Sequence, residues 1–586
     1  MIGRGGIMPP FFVFYSQIPR MQKLLYLLLA ASLVTACKEN ATFPVIQQHL
    51  ARIDSMPAVP QPLQVIDWYA MARRFDSTVY DFHATGAHWP LVWWDSSGHN
   101  FPQPVVGLFT ALDDQRQGTH NKGMFHEALA TMGATLGATL VGIDKSKGLN
   151  YVGMLKNYFN RETGWNIMMN NTCPEVALLG GGYGRDWWYD VYPNLLFYAI
   201  YDRYPKEPGF DTLAHRIAEK FYQADSVLQG NYNHSFFDYA QLQPKENTIC
   251  KQPDAAAGHA YVLYAAYKKF GDARYLQGAI HALQTLQQQR SNTFYEVFMP
   301  FAAYLAARLN AEQGAHFNVQ QFLEWSFDGT AQCRSGWGVL LGRWNGLDIS
   351  GIVGNTQDRG GYGFLMNTFD AAWPLMPLVR YDASYANAMG KWMLHAANAT
   401  RFFYTQYMPD DHETIPQQAA ITKGVIGYEG IIHSPSYPQY AHLQAPVAQG
   451  DGPLWARGNP DVSQFSVYGS GHVGIFGSII RNTNVPGILQ LNLLATDFFR
   501  EAAYPTFLYY NPYPQTKTVQ IAVGNTPVRL YNTVIHDFIS AAVQGSYELV
   551  LPPATAVVLV STPAGGTVAK QQHRLLINGV MVDYHL

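Results

Sequence analysis

Acidic side chains are scarce in this chain of 586 residues: Asp and Glu number 42, and charged residues make up 14% against 48% hydrophobic. A carboxyl group set among rings and glycines in such a background is out of place on ordinary solvated surface. Four such acids stand out. Glu296 lies in NTFYEVFMP (292–300), where apolar neighbours would raise its pKa and suit it to donate a proton. The alternative is a carboxylate complementing a helix N-terminus. Asp358 lies in NTQDRGGYG (355–363), where glycines let the backbone approach a ligand and the adjacent Arg359 suits a base. The alternative is an Asp–Arg pair closing a turn. Asp186, in GGGYGRDWW (180–188), reads as a catalytic or hydroxyl-binding group, or as the N-cap of a helix from Trp187. Glu429 sits between glycines in GVIGYEG (424–430) and reads as functional, or as half of a buried ion pair. Glu175, Asp114 and Asp348 are weaker candidates. Two carboxyl groups whose surroundings push their pKa values apart can act as acid and base on one substrate.

Other chemistries find little support. His120, His126, His259 and His472 are scattered, and no HExxH or CxxC spacing occurs, so neither a metal site nor a cofactor is expected. No GxSxG elbow is present. The glycine-rich stretch before Asp186 lacks the setting of a dinucleotide site. Lys and Arg total 39, for a net charge of −3, and nothing in that balance calls for a nucleic-acid partner. Four Cys exclude a disulfide scaffold. Cys37 apart, Cys173, Cys250 and Cys333 are expected as three buried thiols, with one disulfide and a free thiol as the alternative.

Helices must carry most of these groups. Leu213, Ile217, Phe221, Ala224 and Leu228 keep one helical face, as do Phe125, Leu129, Met132, Leu136 and Leu140. Leu276, Ile280, Leu283 and Leu286 form another such stripe, and Tyr385, Met389, Trp392, Ala396 and Phe403 a fourth. Residues 255–267 and 298–309 are apolar nearly all round, which predicts helices buried on both sides. One-faced helices alternating with fully apolar ones suggest an inner ring of helices within an outer one. Residues 61–480 allow 35 residues for each of twelve helices, more than helices and plain connections use. The excess collects near 86–122, 160–192, 329–368 and 406–470, and long loops on a rigid scaffold tend to carry function. After about residue 485 the period drops to two. Val519, Ile521 and Val523 alternate with polar or small residues, 557–560 is a short buried run, and Asn578-Gly579 marks a hairpin.

The N-terminus reads as an address. Residues 21–37, MQKLLYLLLAASLVTAC, give a basic start, a short apolar run and small residues before Cys37. This resembles a bacterial lipoprotein signal, which implies cleavage before Cys37, lipid attachment there, and anchoring at the outer membrane of a Gram-negative cell. Lys38-Glu39 resembles a surface-export tag. The expected organisation is a signal over 1–37, a tether over 38–60, a helical catalytic domain over 61–484 and a β-sandwich over 485–586. No stretch after the signal is apolar for long enough to span a bilayer as a helix.

Two segments carry a family likeness. PDAAAG (253–258), running through KKFGDARYL (268–276), looks like a helix, Gly-Asp turn and helix hairpin, and WWYD (187–190) looks like a double-Trp motif. Together with the mainly α plan they resemble the (α/α)6 six-hairpin glycosidases and related polysaccharide lyases. The resemblance implies a toroid followed by an antiparallel β-sandwich, with saccharide chemistry in a central cleft. Glu296 is then the expected acid and Asp358 the base, with Asp186 and Glu429 as further catalytic candidates. Flat indoles can stack on a sugar face; Trp93, Trp94, Trp187, Trp188, Trp337 and Trp344 fall in the long loops, and Tyr183, Arg185, Tyr295 and Tyr362 join the expected substrate-binding set. Two other readings stand. A lyase would abstract a proton beside a uronate carboxyl, using Tyr183, Arg185, Asn170, Asn171 or His472. A surface glycan-binding lipoprotein would keep the rings and have no catalysis.

Overall fold

The structure, a computed structural model, describes residues 43–118, 125–179 and 185–586. Cys37, Tyr183 and His120 lie outside the described residues. Residues 44–586 form one compact unit. Among the described residues no helix is long and apolar enough to cross a membrane.

The principal helices are α1 (Trp68–Val79), α2 (Ala128–Leu140), α3 (Trp187–Arg203), α4 (Phe210–Leu228), α5 (Ala255–Phe270), α6 (Ala273–Gln287), α7 (Phe298–Gln313), α8 (Val319–Phe327), α9 (Leu365–Tyr381), α10 (Ala386–Ala399), α11 (Val467–Gly471) and α12 (Gly474–Ile479). Their packing follows the split between two-sided and one-sided apolar sequences. Helix α2 packs on α3, α3 on α5, α5 on α7, α7 on α9, α9 on α11 and α12, and these return to α2. These are the helices with apolar residues all round, and α3, α5 and α7 are buried over most of their length. Outside them, α1 packs on α12, α4 and α6 on α5, α8 on α7 and α10 on α9. Helices α1, α4, α6 and α8 each bury one stripe, whereas α10, expected to bury one face, is buried nearly all round because it also packs on strands Thr506–Tyr510 and Ala556–Pro563. In α4 that stripe is Leu213, Ile217, Phe221, Ala224 and Leu228, as its spacing predicts.

Three details depart from expectation. In α6 the buried face runs through Tyr275, Ala279, Ala282 and Leu286, so Leu276 and Ile280 lie at its edge, half-buried. The stripe is turned toward the large Tyr275 ring. The segment expected as a tether packs into the core from Leu50 onward, where Leu50, Ile53 and Met56 are buried. Cys250 and Cys333, Cα atoms 5.6 Å apart, form a disulfide, while Cys173 is a buried free thiol. Their separation of 83 positions gave no local signal of pairing.

The helix hairpin expected around Gly271 is present. Gly271 adopts φ +73°, and the Asp272 side chain caps α6 by accepting from the Arg274 N–H. The long connections after α8 and after α10 fold into a five-stranded antiparallel sheet. It comprises β1 (Trp337–Val339), β2 (Val353–Asn355), β3 (Tyr362–Phe364), β4 (Gly430–Ile432) and β5 (Val447–Gln449), in the order β5-β4-β3-β2-β1. Gly354 and Gly430 are required here: a Cβ on Gly354 would strike the carbonyl of Tyr362, and one on Gly430 the Tyr362 ring.

From Ile480 the chain is sheet-rich. A seven-stranded antiparallel sheet includes Thr506–Tyr510, Lys517–Asn532, Val543–Leu551 and Ala556–Pro563, and a three-stranded sheet follows over 568–583. Alternation sorts the large sheet's side chains. Leu508, Tyr510, Ala556 and Val558 join the helical core, while Tyr509, Val557 and Leu559 pack with Val519, Ile521 and Leu549. The Asn578-Gly579 turn pairs Ile577 with Val580, both turn residues having positive φ.

Candidate active site

The inner helices deliver acids at their first turns. Glu127 is at the N-cap position of α2, Asp186 at that of α3 and Asp254 at that of α5, and Glu296 lies two residues before α7. Helix N-termini favour negative charge, while burial opposes it. The result is a set of carboxyl groups that hold their protons tightly.

Glu296 is the clearest case. Its backbone is left-handed, φ +64°, an uncommon state for a side chain of this size and one that clusters at functional sites. The Asn367 amide on α9 donates to both the Glu296 carbonyl and its Oε2, each at 2.8 Å. Burial raises the carboxyl to about 8; the Asn367 bond and the Arg334 guanidinium oppose that shift, and Asp186 and Glu429 add to it. At neutral pH Glu296 therefore carries a proton, the state a general acid needs.

A cavity of about 380 Å³ opens above it, within the size range of small-ligand sites. Glu296, Arg334, Trp337, Asp358, Tyr362 and Asp451 are among the residues that line it. Strands β1 to β3 supply Trp337, Asn355 and Tyr362. Between β2 and β3 the chain turns at Asn355, whose Oδ1 accepts from the N–H groups of Gln357 and Asp358 at 3.0 and 2.9 Å. That turn leaves Asp358 exposed on the cavity wall, and Arg359, at φ +49°, bonds Ser436.

The other two predicted acids stand beside this cavity. Asp186 accepts from Gln252 Nε2 at 2.6 Å and lies 3.8 Å from the Arg334 guanidinium. It occupies the N-cap position of α3 without making a side-chain cap bond. Burial raises its pKa, with Arg334 and Gln252 opposing. Glu429 accepts from the Asp451 N–H at 2.8 Å and from the Tyr468 hydroxyl at 2.9 Å. Burial raises it too, and Asp451 adds. Tyr189, on the first turn of α3, feels Glu127, Glu296, Asp186 and Glu429 together. Asp186 and Glu429 thus both act on Glu296, and Asp358 shares the cavity wall with Glu296.

The aromatic candidates divide. Trp337 lines the cavity with its indole N–H unbonded, and Tyr362 lines it with its hydroxyl unbonded. Tyr295 stands behind Trp337, edge-on at 5.6 Å, and is buried. Trp187 does not face the cavity: it is fully buried, stacked on Tyr232, and donates to the Tyr239 hydroxyl at 3.2 Å. Trp188 is buried against Tyr189 at 3.8 Å. Arg185 is spent inside the fold, 3.4 Å from Asp190 and over the Trp165 ring. Trp344 packs edge-on to His433 and against the turn at Gly361. Of the other long-loop indoles, Trp93 packs against His126 and Trp94 is 46% exposed, stacked on Phe82. Double-Trp spacing cannot tell a helix's inward face from the face toward the cleft, and here the inward face won.

Among the described residues, the groups suited to a lyase are engaged elsewhere. His472 is buried, 2.6 Å from Asp370, and a Cβ on Gly133 would overlap its ring. Asn170 and Asn171 accept from the backbone at the start of α2. Among the weaker acids, Asp114 is chelated by Arg116, Asp348 is buried near His395 and Glu175 is exposed. Among the described residues no group of three or more His, Cys, Asp or Glu is placed to hold a metal ion.

Sequence reading missed Asp451, Glu127, Arg334 and Asn367. Asp451 sits between Gly450 and Gly452, the same pattern that singles out Glu429. Glu127 is a lone carboxyl opening an apolar helix; burial raises it to about 8 against the pull of Arg116. Its proton has a consequence for stability. The contribution is complete below the unfolded value of 4.5 and is lost as pH rises through about 8. Glu127→Gln is expected to melt with the wild type at pH 5 and above it at pH 9, by roughly 2 °C or more in a calorimetric scan. A variant less stable at pH 9 would contradict the raised carboxyl.

No protein-family description matches the chain, and no curated protein does. Solved structures give distant likenesses. A GH127 beta-L-arabinofuranosidase from Geobacillus stearothermophilus T6 shares 10% identity, covering 89% of this chain and 85% of its own, with a TM-score of 0.35. A chain described as a glycoside hydrolase shares 10% identity over 77% of each chain, with a TM-score of 0.35. A second GH127 beta-arabinofuranosidase shares 10% over 92% and 86%, with a TM-score of 0.34.

Proposed function

We propose that the chain is a glycoside hydrolase on an (α/α)6 toroid, cleaving a carbohydrate in the cavity beneath strands β1 to β3. One observation carries this reading: a half-buried acid, Glu296, whose carboxyl is raised to about 8, and a water-exposed acid, Asp358, line the same cavity. Hydrolysis of a glycosidic bond asks for that pair. Glu296 gives its proton to the leaving oxygen, and Asp358 activates water or attacks the sugar carbon. Asp451 and Arg359 flank Asp358, the guanidinium balancing two acids in one wall. The closed succession of inner helices supports the toroid, and the Trp337 and Tyr362 rings in the cavity wall support a ring-shaped ligand. The test is release of new reducing ends from a glycan panel, with Asp358→Asn beside the wild type. Release that falls at least about 100-fold in the variant supports the pair. Release at the wild-type rate removes Asp358 from the chemistry, products absorbing in the ultraviolet indicate a lyase, and binding without release indicates a non-catalytic receptor.

We further propose that the chain is exported and lipid-anchored through Cys37. The Cys250–Cys333 disulfide supports an oxidising compartment. Labelled palmitate is expected to enter the wild type and not Cys37→Ala; equal labelling would refute the anchor.

A further inference from the structure

The two cysteines lie next to the residues that set the charge in the cavity. Cys333 immediately precedes Arg334, and Cys250 is two residues before Gln252, the partner of Asp186 at 2.6 Å. The Arg334 side chain has a 3.8 Å ion pair to Asp186 and lies over the Tyr295 ring. That side chain is 55% exposed, the Arg334 backbone is left-handed at φ +44°, and the residue sits in a three-residue turn. A long half-exposed Arg loses conformational entropy when it is kept in one place, so an anchored backbone adds to those two contacts. Asn355 bonds the Arg334 carbonyl, and the disulfide fixes the residue before it. The guanidinium then stands 3.8 Å from Asp186, over the Tyr295 ring, on the wall that carries Glu296.

We propose that the Cys250–Cys333 disulfide is a positioning element of the cavity: by tying the loop before α5 to the loop after α8, it holds the Arg334 guanidinium beside Asp186 and Glu296. The proposal rests on the glycosidase reading for its activity readout and on geometry for the rest. Arg334 and Gln252 face Asp186, while Asn367, Arg334, Asp186 and Glu429 act on Glu296. Removing Arg334 from that set leaves Glu296 with the Asn367 amide, two acids and no cation, and it gives up its proton at a higher pH. Loosening of the loops by itself would lower turnover without moving that pH.

Reduction by dithiothreitol breaks the S–S bond with two electrons and two protons, giving two thiols while the reagent closes to its cyclic disulfide. The experiment compares oxidised wild type, reduced wild type, the double variant Cys250→Ser/Cys333→Ser, and Arg334→Ala. Each is checked for cooperative melting and by counting alkylated thiols. The alkaline limb of kcat/KM is expected to move up by about one pH unit in the reduced, double-Ser and Arg334→Ala proteins alike. Reduction of Arg334→Ala should then move it no further, because both changes act through one group. An unmoved limb in folded reduced protein, or shifts that add, overturns the proposal. A wild type that cleaves no glycan counts against the glycosidase reading instead. The positioning claim is then read from the Glu296 carboxyl carbon titrated by NMR in Glu-labelled protein, the signal assigned with Glu296→Gln. The same comparison of shifts supports or overturns it.

Discussion

Glu296→Gln is expected to leave a folded protein that cleaves a glycan substrate roughly 1,000-fold more slowly, while an aryl glycoside with an acidic leaving group is expected to react within about 10-fold of the wild-type rate. The amide has the shape of the acid and keeps an oxygen for the Asn367 donor, so the left-handed turn before α7 need not move. What disappears is the proton. Burial holds that proton on Glu296 up to about pH 8, and a leaving alkoxide needs it while a phenolate does not. The contrast between the two substrates separates proton donation from binding. Equal losses on both would give Glu296 another role, as a base or a contact to the sugar, and no loss on either would remove it from the reaction. The sign of the stability change follows from the same proton. Because the Glu296 contribution is lost as pH rises through about 8, the variant should gain on the wild type in melting temperature at pH 9 and not at pH 5.

Local patterns in the sequence carried the elements far better than they carried the site. The stripe of α4 and the fully apolar α5 and α7 are local properties, read within four residues of each position, and they place these three helices correctly, whereas α2 and α10, expected to bury one face, are buried nearly all round. The Asn578-Gly579 turn is equally local. Glu296 and Glu429 were visible because a carboxyl among apolar residues or glycines is chemically conspicuous whatever its partners. The partners were not visible. Arg334 meets Asp186 across 148 positions, and Asn367 meets Glu296 across 71. Nothing near Arg334 in the chain says that its turn will face an acid. The same limit explains the indoles: Trp187 and Trp337 both stand in glycine-rich surroundings, yet one stacks on Tyr232 in the core and the other walls the cavity. The cysteine pair belongs with these, since its closing distance is a property of two loops that only the packed helices bring together.

The contact that closes the inner helices on themselves makes the second large prediction. Helix α2 meets α11 and α12 through glycines: a Cβ on Gly137 would approach the Gly471 carbonyl, and one on Gly474 would fall inside the backbone of Gly137, overlapping its Cα, C and O. Neither Gly137 nor Gly474 has positive φ, so the glycines are there for distance and not for backbone freedom. No rotamer relieves a clash between a Cβ and another backbone, and the two helices must separate. Gly474→Ala is expected to cost about 3 kcal/mol, the upper range for overpacking a tight interior, and to lower Tm by roughly 5 °C at a fixed scan rate. Gly477→Ala, whose Cβ would meet the Ala72 methyl, the Trp68 carbonyl and a Val141 methyl at 2.9 to 3.0 Å, should cost less, because two of those neighbours are side chains. Gly565→Ala, with nothing within 4 Å of the added carbon, should leave Tm unchanged. The cavity should register the separation as well as the melting curve does. Glu127 at the start of α2 and Tyr468 on α11 both face Glu429, so parting these helices alters the bonding of that acid and lowers turnover. A Gly474→Ala protein with wild-type Tm and activity would mean that α2 and α12 do not approach as closely as this packing requires, and the closed circuit of inner helices would lose its last link.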